Sequence, residues 1–132
     1  MTFLRRVLTA QATLWAAFGF VVGVAPGWLL ETVADQPTLT DDAWIRALGV
    51  IAVVLALLMV LVSQRLEDVW WWSWAFLITT AAVTTVTGLH LLFGERTGNS
   101  NWLWAIFAGV NGLFTVGMLF GLGRAAQEKP FA

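Results

Sequence analysis

The chain has 132 residues, of which 59% are hydrophobic and 11% charged, with a net charge of −1 and no cysteine. A mean hydropathy of +0.79 places it with integral membrane proteins, and the length allows one domain, residues 1–132. The missing cysteines exclude disulfides, thiolate metal centres and cysteine nucleophiles, and the lack of a basic tract argues against nucleic acid as a partner.

Four nearly charge-free runs reach the roughly 18 to 20 residues needed to cross a hydrocarbon core. They predict helices over residues 7–30, 43–64, 69–93 and 101–123. Their continuous apolar character lacks the period-two alternation of barrel strands, so the expected fold is all-α, an integral membrane four-helix bundle.

The first run follows Arg5 and Arg6 in the manner of a signal peptide. It is longer than a signal core and three more spans come after it, so it reads as a retained helix. Gly19, Gly23 and Gly27 recur every fourth residue and form a ridge where another helix can approach closely. Pro26 either kinks the end of this helix or belongs to its last turn. The loop that follows carries four acids and no base, and Thr40 or Asp41 is placed to cap the second helix.

In the second run Arg46 lies about one turn inside the boundary, with Asp42 four residues earlier on the same face. The third run opens on "VWWWSW". On a regular helical wheel Trp70 and Trp74 stand about 40 degrees apart, while Trp71 and Trp72 point elsewhere, so the cluster surrounds the helix instead of lining one face. These four indoles read as anchors at one headgroup level, and Trp28, Trp44, Trp102 and Trp104 as anchors at the other. Trp15 alone is left inside a span, where it reads as packing. Thr80, Thr84 and Thr87 share a face of the third helix, and their hydroxyls are expected to bond to their own helix carbonyls.

The fourth run carries Ala105, Gly109, Gly117 and Gly121 as a second small-residue ridge, expected to pack on the first within one subunit or to pair with another copy. Asn111 and Thr115 lie deep in this run, Asn111 as a buried amide expected to bond a neighbouring helix.

Orientation follows from the basic residues near helix ends. Arg5, Arg6, Arg65, Arg124 and Lys129 give five on one side, against Arg46 and Arg96 on the other. Both termini are therefore expected to be cytoplasmic, in a bacterial inner membrane.

Ionisable residues inside spans are costly, which makes Arg46 and His90 the natural site candidates. The candidate polar site is Arg46, His90 and Asp42 near the rim, close to Glu31 and Glu95, with Asn111 and Thr115 deeper. Structural roles compete with it: Arg46 snorkelling with Asp42 as partner, and His90 bonded to a carbonyl or phosphate. One histidine cannot supply two-histidine haem ligation, and no zinc set or serine-based catalytic arrangement is evident. No metal site and no cofactor are expected.

The stretch "VAPGWLL", an acidic loop and then "WIRALGVIAVVLALLMVL" resemble the small bacterial four-helix membrane proteins of the DoxX-like type. In that group a proline and leucines close the first helix, and an Arg followed shortly by Gly opens the second. Here these positions are Pro26, Leu29, Leu30, Arg46 and Gly49. The resemblance spans the first half of the chain and implies an architecture and an accessory or scaffold role. Some relatives carry an acid in the fourth helix where this chain has Asn111, so a proton-linked role does not carry over.

The expected function is a non-enzymatic accessory or scaffold subunit of a larger membrane assembly. Its partners would be the lipid bilayer and other membrane subunits or further copies of itself. A homo-oligomeric transporter or channel for a small solute, and a lipid-, quinone- or haem-binding protein, are the alternatives.

Overall fold

A computed structural model describes residues 1–38, 40–94 and 100–129. Glu95 and Arg96, which figured in the expectations above, lie outside the described residues.

Helix α1 runs over Thr2–Val24, α2 over Ala43–Gln64, α3 over Leu66–Val69, α4 over Ser73–Phe93 and α5 over Trp102–Glu128. Between them lie a π-helical turn, Trp28–Val33, and a 3-10 turn, Trp70–Trp72. Four helical segments, Thr2–Val24, Ala43–Gln64, Leu66–Phe93 and Trp102–Glu128, are long and apolar enough to span a membrane. The protein is a multi-pass, all-α membrane protein whose spans form a bundle.

Helix α2 keeps its expected limits; just ahead of it the Asp41 carboxylate accepts the Ala43 amide at 3.0 Å. Helix α1 differs at both ends. It starts at Thr2 and so includes Arg5 and Arg6. Arg5 is accommodated because its Nε donates to the Ser63 carbonyl at 2.9 Å, one of the carbonyls that α2 leaves free at its C-terminus. The helix stops at Val24 because Pro26 disfavours a helical conformation at the residue before it, and Ala25 has moved to φ −137°. The chain then winds into the wider π turn, which closes where Asp35 takes a left-handed φ of 53°. Helix α5 continues past residue 123 to Glu128, beyond the apolar run that defined it.

The third span enters through α3 and then tightens. A 3-10 turn advances about 120 degrees per residue instead of about 100, so it shifts the phase of everything that follows it. Trp70 is only 4% exposed and packs in the core, whereas Trp71, Trp72 and Trp74 remain 45–51% exposed. The indole ring around the helix is thus three outward and one inward, a departure from the regular wheel.

Helix α1 lies along α2, α4 lies along α5, and the two hairpins meet chiefly through α1 and α5. The closest approach is between α1 and α2. A Cβ built on Gly19 would sit 2.6 Å from the Gly49 carbonyl oxygen, and one on Gly49 would sit 2.6 Å from the Gly23 nitrogen. The ridge on α1 therefore serves α2, contrary to its expected pairing with the ridge on α5. On α5, Gly117 and Gly121 receive Val7 and Leu4 of α1, while Gly27 and Gly109 have no such neighbour within 4 Å. A continuous core of Leu4, Leu8, Met59, Leu66, Phe76, Met118 and Leu122 fills the half of the bundle nearest residues 4 and 122, called the basal half below.

Candidate functional site

Arg46 projects from the first turns of α2 across the end of α1. Its Nε donates to Asp42 Oδ2 at 3.0 Å, and its Nη1 donates to the Gly23 and Val24 carbonyls, both at 3.0 Å. A helix C-terminus presents unpaired carbonyls and a partial negative charge, and a guanidinium suits both. Arg46 thus caps α1, held in place by Asp42. Gly49, one turn further along α2, makes the backbone contact with the same stretch of α1. Arg46 and Gly49 thus serve one joint.

His90 belongs to the other hairpin. Its ring lies 4.7 Å from that of Trp104 on α5, tilted by 49°. The Trp104 indole donates to Gln36 Oε1 at 3.4 Å, and Gln36 Nε2 donates in turn to the Ser100 carbonyl at 2.8 Å. Gln36 thereby fastens the loop after α1 to the start of α5. Arg46 engages α1 and Asp42, His90 engages Trp104 on α5, and the contacts divide the expected rim site into two groups.

The threonines of α4 bond to their own helix. Thr79, Thr80, Thr84, Thr85 and Thr87 each donate to the carbonyl four residues earlier, at 2.7 to 3.2 Å. Thr115 likewise donates to the Asn111 carbonyl at 2.8 Å.

Asn111 differs from its expected role. Its Nδ2 donates to the Phe107 carbonyl on its own helix at 3.0 Å, and its Oδ1 is buried without a hydrogen-bond partner. Gln11, fully buried on α1, has no partner for either amide atom. A buried polar atom without a partner costs about 1–3 kcal/mol. Gln11 was legible as an amide within a span, but its complete burial depends on packing against the other helices.

Asn111 borders a cavity of about 410 Å³ in the half of the bundle away from the basal core. Trp15 and Phe18 of α1, Ala52 of α2, Val83 of α4 and Phe107 of α5 contribute to the walls, and Leu29 of the π turn joins them. Phe18 and Phe107 meet edge to face with ring centroids 4.7 Å apart. Trp15 packs against the buried core, as expected, and also borders this space. Among the described residues no three His, Asp or Glu side chains stand together as a metal site. Comparison with protein-family models, with curated proteins and with solved structures finds no match for this chain.

Proposed function

We propose that this chain is a non-catalytic subunit of a bacterial inner-membrane assembly, with both termini on the cytoplasmic side. The basic residues support the orientation, five on the side of the termini against two on the other. The observation that carries the subunit reading is a pair of unfilled glycines on the surface of the second hairpin. A Cβ built on Gly112 would lie 3.6 Å from Thr84, and one turn onward along each helix Gly109 and Gly88 have nothing within 4 Å of a built Cβ. Lipid is as apolar as leucine, so helices associate in bilayers where small residues permit close backbone approach. This position offers that approach to a helix from another protein or another copy.

Several polar side chains support the same reading, because they serve the bundle itself. Arg46 caps α1, Gln36 ties a loop to α5, and the α4 threonines bond to their own helix. A solute pathway would need polar groups turned toward a common channel, and a haem would need more than a histidine already packed against an indole. The DoxX-like resemblance, resting on Pro26, Arg46 and Gly49, agrees with a small scaffold architecture.

Purification of the wild-type chain in mild detergent, followed by native mass spectrometry, tests the proposal. A stoichiometric membrane-protein partner or homo-oligomer that is lost in Gly109→Phe is expected. A wild-type chain recovered only as a monomer would refute it.

A further inference from the structure

The cavity beside Asn111 has features that the subunit reading does not use. Its volume of about 410 Å³ falls toward the lower end of small-molecule pockets, which run from about 300 to 1,000 Å³. No charged side chain is among its lining residues. Leu14 and Ile106 border it while each remains 51% exposed on the outside of the bundle, so the cavity opens sideways toward the hydrocarbon. Asn111, 4% exposed, supplies an amide in this lining. Nδ2 gives one of its two hydrogens to the Phe107 carbonyl, and Oδ1 is a buried acceptor without a donor.

We propose that the cavity binds a bilayer-dissolved alcohol of single-chain or isoprenoid type, its hydroxyl donating to Asn111 Oδ1 and its apolar body lying against Trp15, Phe18 and Phe107. Each part of the ligand class follows from a feature of the site. Uncharged walls exclude an ionic headgroup, whose desolvation would go uncompensated. A buried carbonyl oxygen requires a donor, and a ketone, ether or ester oxygen would leave Oδ1 unpaired. The limited volume suits one chain or ring system in place of a two-chain phospholipid. The lateral opening lets such a molecule enter from the membrane without crossing water, and Gln36 holds the loop that carries Leu29 against α5.

The test uses the full chain in detergent, with geranylgeraniol and its methyl ether as probes. The two share an apolar body, and only the alcohol can donate. Native mass spectrometry titrations should show the alcohol held about tenfold more tightly than the ether, the effect of one buried hydrogen bond. Asn111→Leu should bring the alcohol down to the affinity of the ether. Val83→Phe, which fills the cavity from α4 and leaves Asn111 in place, should weaken both probes. Circular dichroism establishes that each variant is folded; if Asn111→Leu is not, the wild-type comparison and Val83→Phe decide the matter. Failure of the wild type to retain the alcohol, equal affinity for alcohol and ether, or a preference that survives Asn111→Leu would overturn the proposal.

Discussion

In the basal half of the bundle Leu8, Met59 and Met118 are completely buried and the four spans interlock. In the distal half the same spans leave a cavity between the α1–α2 pair and α5. Within the distal half itself, what separates the helices varies: Gly19 and Gly49 let the backbones of α1 and α2 touch, while Phe18 against Phe107 places two rings between α1 and α5 beside the cavity. Close packing is the main attraction available between apolar helices in lipid, so one half is built for cohesion and the other keeps room.

The sharpest way to break this comparison is to put a methyl group where the backbones meet. Gly49→Ala should destabilise the protein by about 3 kcal/mol, because neither backbone can yield to the new Cβ. Gly109→Ala, where nothing stands within 4 Å, should stay within about 0.5 kcal/mol of wild type. SDS titration in mixed micelles, followed by circular dichroism, measures both. Equal losses would show that the α1–α2 contact has no special standing.

A smaller effect separates the two halves directly. Leu8→Ala opens a void in the basal core and should cost about 2 kcal/mol, near the lower limit for core truncations because lipid instead of water is the reference. Leu103→Ala only enlarges a space that already exists and should cost less than about 1 kcal/mol by the same assay.

A modest effect is expected of Arg46→Ala, near 1 kcal/mol, since the guanidinium is about half exposed and its bonds compete with water. Its signature is local. Hydrogen exchange should accelerate in the last turn of α1 and leave the basal half unchanged, and Arg46→Lys should restore part of the protection.

The four spans and their class were legible because charge-free length is a direct physical requirement of the bilayer. The limits of α2 were legible too, being marked by polar residues at both ends. The start of α1 was not, because Arg5 is tolerated inside the helix only through the distant Ser63 carbonyl. Trp70 was misplaced on a regular wheel, since nothing in "VWWWSW" announces the 3-10 turn that rotates it inward. The α1 ridge was visible, but its partner is a lone glycine on α2, and a lone glycine makes no pattern. Asn111 stood out as an amide in a span. The cavity beside it is a property of several helices at once and has no signature along the chain.

The joint between α1 and α2 bears on how the protein is made. Gly19 with Gly49, Arg46 with the Gly23 and Val24 carbonyls, and Arg5 with the Ser63 carbonyl are all contacts within the first half of the polypeptide. Synthesis delivers that half first. The first two helices therefore carry what they need to dock as a hairpin while the rest is still being translated. Helix α5, last to emerge, then meets an assembled surface on α1 and completes the bundle.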